Sequence, residues 1–116
     1  MKLGISSKSE IERISLVLCL GLINAIESGT VSISEANGYW FNPFTFFSLG
    51  NLGLDKKIVG VICHCCELED VESIIPDKLS SVINNLKAEV IKLLESMPKP
   101  SEPTEKLLKG IREDCR

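Results

Sequence analysis

Residues 63–72 place thiols, an imidazole and carboxylates within one short segment of the chain. Cysteine, histidine and carboxylate side chains are ligands for zinc, and a thiol beside a histidine base is a nucleophile. Carboxylates without neighbouring cations also form surfaces that attract basic partners. The groups in this segment are Cys63, His64, Cys65, Cys66, Glu67, Glu69, Asp70 and Glu72.

The spacing of the thiols argues against a metal site. Structural zinc sites pair ligands roughly two to four residues apart and draw a second pair from a separate element. The other cysteines are Cys19, inside a hydrophobic segment, and Cys115, near the C-terminal end. Small core side chains are a common role for cysteine, and we expect that role here, with no metal or other cofactor.

The charge around the thiols argues against a cysteine enzyme. A reactive thiolate needs nearby positive charge, whereas Glu67, Glu69 and Asp70 would raise a thiol pKa. Carboxylate catalysis has no saccharide-binding aromatic array to support it beyond Tyr39, Trp40 and Phe41. Gly50 and Gly53 are not followed by the Lys and Ser or Thr of a phosphate loop. We therefore expect a protein that is not an enzyme.

Composition limits the class of protein. The chain has 116 residues with 44% hydrophobic content, enough for the core of one domain. Its 16 acidic and 13 basic side chains argue against direct binding of nucleic acid. An odd number of five cysteines, three of them clustered, favours reduced thiols and a cytoplasmic location. The apolar run 16–22 is too short to span a bilayer, so we expect no membrane association.

The N-terminal region predicts a long hydrophobic helix. Ser7 and Glu10 have the spacing of a capping box, and apolar residues between Ile11 and Ile26 cover nearly the whole helix circumference. Such a helix should lie at the centre of the fold. Ser28 and the glycine after it should end it.

Two short helices are predicted next. Ser32 and Glu35 repeat the capping spacing, and Asn42 followed by Pro43 marks another helix start. We expect this third helix to run to Leu49 and to be closed by Gly50.

Residues 55–68 are ambiguous. Ile58, Val59, Val61 and Ile62 are β-branched, which favours a strand, whereas the length of the apolar run favours a helix capped by Asp55. We predict a helix through to Leu68.

The clearest pattern lies between Lys78 and Met97, where apolar residues recur every three or four positions. Prolines follow at 98, 100 and 103, and we predict a final helical turn around Leu107, Leu108 and Ile111. These elements predict an all-α fold, a compact single-domain bundle of about four to six helices. The domain should cover residues 1–97, with residues 98–116 a proline-rich linker and short C-terminal segment.

Aromatic and acidic side chains together predict a protein-binding surface. All six aromatic residues lie between residues 39 and 47, and not all of them can face inward, so Tyr39 or Trp40 is a candidate interface anchor. Residues 67–77 contain five carboxylates and no Lys or Arg. The candidate partner-binding residues are Glu67, Glu69, Asp70, Glu72, Tyr39 and Trp40.

Two segments resemble a known family. Residues 33–43, with Trp40 and Pro43, and the Glu-Leu-Glu-Asp-Val segment at residues 67–71 look like a small bacterial family of uncharacterised function. The resemblance covers roughly residues 11–95. It implies no catalytic residues.

More loosely, the size, acidity and lack of a catalytic motif are similar to immunity proteins of interbacterial toxin systems, including those of contact-dependent growth inhibition. That resemblance implies a non-catalytic inhibitor whose partner is a cognate toxin domain, such as a nuclease with a basic cleft. The alternative is a homo-oligomeric structural or regulatory module in which excess apolar surface forms a homodimer. A zinc or thiol site is the third reading.

Overall fold

The structure, a computed structural model, describes residues 2–3, 7–98 and 108–109. Within these ranges the chain forms six α-helices and, between the fifth and the sixth, a 3-10 turn at Pro76–Lys78. The helices are α1 (Lys8–Glu27), α2 (Ile33–Tyr39), α3 (Pro43–Asn51), α4 (Lys56–Cys65), α5 (Leu68–Ile74) and α6 (Leu79–Ser96). The predicted all-α single domain is confirmed.

Both predicted serine caps are present. The Ser7 hydroxyl accepts a hydrogen bond from the backbone N–H of Glu10 at 3.3 Å, and Ser32 accepts from that of Glu35 at 3.0 Å. Each bond satisfies one of the donors left free at a helix start. In a complete capping box the glutamate would also accept from the backbone N–H of the capping serine. Here the Glu10 carboxylate accepts instead from the Ser7 hydroxyl, and Glu35 accepts from the Tyr39 hydroxyl.

Helix α3 begins as predicted but ends later. Asn42 caps it by accepting from the backbone N–H three residues later at 3.0 Å, and Pro43 occupies the first helical position. The helix continues past Gly50 to Asn51. Gly53 then takes a φ of +79°, a left-handed conformation that glycine adopts without steric cost, and this reverses the chain.

The segment after Asp55 is a helix and not a strand, as predicted. Asp55 caps α4 by accepting from the backbone N–H of Lys57 at 2.8 Å. The predicted extent is wrong, because α4 ends at Cys65 and a separate helix starts at Leu68. Two residues, Cys66 and Glu67, make the turn between them.

The predicted one-sided packing of the sixth helix is confirmed. Ile83, Leu86 and Val90 are buried, and α6 makes its most extensive contact with α1. The remaining apolar positions of the pattern are partly buried against the same core. They are Leu79, Val82, Leu93, Leu94 and Met97.

Helix α1 contacts α2, α4 and α6, in agreement with a central position. It buries one face, which includes Leu16, Cys19 and Ile23, whereas Val17 and Leu18 are exposed. The helix is therefore central through its packed face and is not enclosed on all sides. No helix within the described ranges has the length and apolar character needed to cross a bilayer.

The predicted helical turn near the C-terminal end is wrong at Leu108. The pair Leu108–Lys109 forms a strand, β2, that pairs antiparallel with β1 (Lys2–Leu3). Pairing of two extended segments satisfies backbone groups that one isolated helical turn would leave to solvent. Leu107, Ile111, Cys115 and the prolines at 100 and 103 lie outside the described residues.

Candidate functional site

The four predicted acidic binding residues lie on or beside α5, which one leucine holds against the core. Leu68 is fully buried, whereas every other residue of this helix is at least partly exposed. Glu67 precedes the helix, Glu69 and Asp70 lie in its first turn, and Glu72 follows in the second. All four acids, Glu67, Glu69, Asp70 and Glu72, are exposed.

Helical geometry divides these acids between two flanks of α5. With about 100° per residue, Glu69 and Glu72 lie on one flank, whereas Glu67 and Asp70 lie on the other. The first flank faces α2, because the side-chain amide of Asn37 donates to a Glu69 carboxylate oxygen at 2.5 Å. This bond fixes α5 against α2 and leaves the second flank open to solvent.

The negative charge of α5 is not neutralised by ion pairs within the described part of the chain. The ion pair found there joins Lys87 to Glu27 at 2.8 Å, on α6 and α1. Residues 67–77 themselves carry no Lys or Arg. Glu69 and Asp70 complement the positive end of the α5 helix dipole, which supports the helix without removing its outward negative charge.

A groove with a volume of about 480 Å³ adjoins the first flank of α5. Glu72 lines it, together with residues from the end of α1 and the starts of α2 and α6. Its apolar lining comes from Ile26, Val31, Ile33, Leu79 and Ile83. The charged residues among the described lining are Glu27 and Glu72, both acids, so the groove suits an apolar side chain that is followed by a basic one.

Tyr39 and Trp40 differ in accessibility. Tyr39 is 65% exposed, and its hydroxyl donates to Glu35 at 2.8 Å. This hydrogen bond, and then the negative charge of Glu35, raise the pKa of Tyr39. Trp40 is partly buried against the core, and its indole Nε1 has no hydrogen-bond partner among the described residues. Tyr39 is therefore the more accessible of the two candidate anchors.

The structure does not bring Tyr39 onto the same surface as α5. Asn37, which contacts α5, lies about 160° around α2 from Tyr39 because the two are two residues apart on a helix. The acids and the tyrosine therefore lie on opposite flanks of α2. The predicted combined surface separates into an acidic face and a separate aromatic position.

Sequence reasoning did not single out the two exposed phenylalanines. Phe44 and Phe47 on α3 are exposed, whereas Phe41 is buried. The sequence feature that could have indicated their exposure is the absence of charged residues from residue 36 to residue 54. A helix within such a stretch has few side chains other than apolar ones to place towards solvent.

The cysteines of the thiol cluster are distributed between the core and its edge. Cys65 is buried with Cys19, whereas Cys63 and Cys66 are partly buried and His64 is exposed. The Cys66 thiol donates to the backbone carbonyl of Ile62 at 3.2 Å. Within the described ranges, no three Cys, His, Asp or Glu residues converge in a way that could hold a metal ion.

The environment keeps two of these thiols protonated. A hydrogen bond with Cys19, and then burial, raise the pKa of Cys65 strongly. Burial, followed by the charges of nearby groups including Cys63 and Glu67, raises the pKa of Cys66 to about 11. A protonated thiol is a poor nucleophile, and Cys65 packs within the core while Cys66 packs against it.

These raised pKa values predict loss of stability in alkali. The unfolded chain loses the two thiol protons at lower pH than the folded protein does. The free energy of unfolding that the thiols contribute is therefore fully present below their unfolded-state pKa near 9, and it declines as pH rises towards the folded-state pKa of Cys66 near 11. Solvent screens part of the Cys66 contribution, so we expect a total loss of about 2 kcal/mol between pH 8 and pH 10.5. Urea titrations under reducing conditions measure it.

The matched control for this prediction is the double variant Cys65→Ala with Cys66→Ala. Its free energy of unfolding should be lower at pH 8, because a buried thiol is lost, yet it should fall less between pH 8 and pH 10.5. Equal alkaline slopes in the two proteins would assign the loss to other groups.

The fold and the site together define an all-α domain with an acidic helix on its surface. The chain matches, over residues 6–109, the family described as Protein of unknown function (DUF3969), and it belongs to that family. No curated protein and no solved structure gives a significant match.

Proposed function

We propose that this protein is a non-catalytic inhibitor that binds a positively charged protein through α5. The observation that supports this most directly is the exposure of Glu67, Glu69, Asp70 and Glu72 on and beside one helix, with no ion pair to them in the described part of the chain. Uncompensated charge of one sign steers an oppositely charged partner and favours its correct orientation.

The partner of this proposal is a toxin domain, and the protein is its immunity protein in the cytoplasm. Toxins that cut nucleic acids carry basic clefts, because they must bind phosphates. An acidic helix placed at such a cleft would both accelerate association and block access of the substrate. The resemblance to immunity proteins in size and acidity supports this choice of partner.

The groove beside Glu72 adds an apolar contact to the proposed interface. Charge steers association, but the affinity of protein complexes depends mainly on buried apolar or aromatic anchors. An apolar side chain of the partner in the groove would be surrounded by Ile33, Leu79 and Ile83. A lysine or arginine next to it would then reach Glu72.

Charge reversal on α5 tests the proposal. The double variant Asp70→Lys with Glu72→Lys should weaken binding of the polypeptide encoded beside this chain by about tenfold or more at low salt, because two favourable charge contacts become repulsive. These positions leave the Asn37–Glu69 hydrogen bond intact. Titration calorimetry measures affinity, and growth rescue from the co-expressed polypeptide measures inhibition.

The matched control is Glu89→Lys with Glu95→Lys, which makes the same change in net charge at two exposed positions on a different helix, α6. It should retain affinity and rescue. If both double variants bind equally well, α5 is not the contact. If the wild-type protein neither binds the polypeptide nor rescues growth, the immunity role fails.

A further inference from the structure

The outward face of α3 carries two phenylalanines. Phe44 is 81% exposed and Phe47 is 65% exposed. They are separated by about 60° around the helix, on the side opposite the buried Thr45 and Leu49. Helix α3 therefore presents a pair of adjacent aromatic rings to solvent while its other side packs on the core. We name these two rings the α3 face.

The α3 face has no charged residue within it or beside it in sequence. Residues 36–54 contain no Asp, Glu, Lys or Arg. Single exposed apolar side chains are common, but surfaces normally intersperse charges among them, which opposes association. Two exposed phenylalanines on an uncharged helix face are a feature of interaction sites.

We propose that the α3 face pairs with the same face of a second copy of this chain, forming a twofold homodimer. A twofold interface places one surface against its own copy, so the surface must be compatible with itself. The acidic face on α5 would repel its own copy, whereas the uncharged α3 face pairs without electrostatic repulsion. This inference is independent of the partner proposed for α5.

The accessible area indicates a weak dimer. At the observed exposures, the two phenylalanine side chains present roughly 300 Å², taking about 200 Å² for each complete ring. With the exposed residues beside the rings on the same side of the helix, Pro43, Gly50 and Asn51, two paired faces would bury about 1,000 Å² in total, at the lower limit for specific interfaces. We therefore expect association at micromolar concentrations, with a dissociation constant on the order of 10–100 µM.

Sedimentation equilibrium of the full chain tests the dimer. The mean mass of the wild-type protein should rise with concentration from 12.8 kDa towards twice that value. The double variant Phe44→Ser with Phe47→Ser should stay at the monomer mass over the same range. Since both side chains are largely exposed, its thermal midpoint at low concentration should match that of the wild type.

The matched control replaces two exposed apolar residues elsewhere, Val17→Ser on α1 and Ile91→Ser on α6. It should dimerise as the wild type does. The variant Asp70→Lys with Glu72→Lys should also dimerise, which separates this proposal from the proposed function of α5.

Several results would overturn the homodimer. One is a monomeric wild-type protein throughout the concentration range, and another is a dimer that the phenylalanine substitutions do not weaken. A monomer that co-sediments with phosphatidylcholine vesicles only when Phe44 and Phe47 are present would assign the face to lipid instead. A monomer that needs these rings to bind the polypeptide encoded beside this chain would assign the face to that partner.

Discussion

Replacement of Phe41 by alanine should lower the free energy of unfolding by about 3–5 kcal/mol. Phe41 is the largest side chain that the structure buries completely, with 1% of its surface exposed. It lies between α2 and α3, and its backbone N–H donates to the carbonyl of Ala36 at 3.0 Å. Because that bond holds the backbone at the end of α2, we expect the shortened side chain to leave a cavity that does not collapse.

Urea denaturation followed by circular dichroism measures this loss, and an unchanged m-value would show that the transition itself is unaltered. A domain of this size is stable by only about 5–15 kcal/mol, so the expected loss is a large fraction of the total. Phe44→Ala is the matched control, because the same ring is removed from an exposed position. It should change stability by about 0.5 kcal/mol or less at low protein concentration. Equal losses in the two variants would contradict the placement of Phe41 in the core.

The starts of four helices, α1 to α4, were predictable because their signals are local. Ser7, Ser32, Asn42 and Asp55 each accept a bond from a backbone N–H within three residues, so residue type and spacing contain the information. The pattern of α6 was equally readable, since a helix packed on one side repeats its apolar residues with the helical period.

The break between α4 and α5 was not predictable from residue types. Cys66 has φ and ψ of −66° and −17°, and Glu67 has −84° and −8°, values close to helical ones. No glycine or proline marks the turn. We attribute the change of direction to packing, which buries Leu68 beside α6 and brings Glu69 to Asn37 of α2.

The two candidate surfaces differ in how far the sequence determined them. Exposure of the α5 acids was predictable, because unpaired carboxylates are rarely buried. The exposed rings were not, because Phe41, Phe44 and Phe47 have the same chemistry. Which of them faces the core depends on how α3 packs against α4, and that contact joins segments whose relative orientation has no local signal.

Replacement of Leu68 by alanine should detach α5 from the core. Leu68 is fully buried in a helix of seven residues, and its loss should cost about 2–5 kcal/mol. The seven-residue helix is too short to be stable without its packing. We therefore expect amide hydrogen exchange to increase most in residues 68–74, with smaller increases in α1 and α6. Leu68→Met, which nearly conserves volume, should cost less than about 1.5 kcal/mol.

Leu68→Ala also tests whether a partner recognises the ordered helix α5 or only the acidic composition of that segment. Leu68→Ala keeps every charge, whereas Asp70→Lys with Glu72→Lys keeps the buried leucine and changes only exposed positions. If the partner binds an ordered α5, both variants should lose affinity. In Leu68→Ala alone, a saturating concentration of the partner should also restore slow amide exchange in residues 68–74, because binding favours the ordered state of α5. If Leu68→Ala binds as tightly as the wild type while α5 exchanges freely, the order of α5 is not what the partner recognises. If Asp70→Lys with Glu72→Lys also binds as tightly as the wild type, the partner does not contact α5.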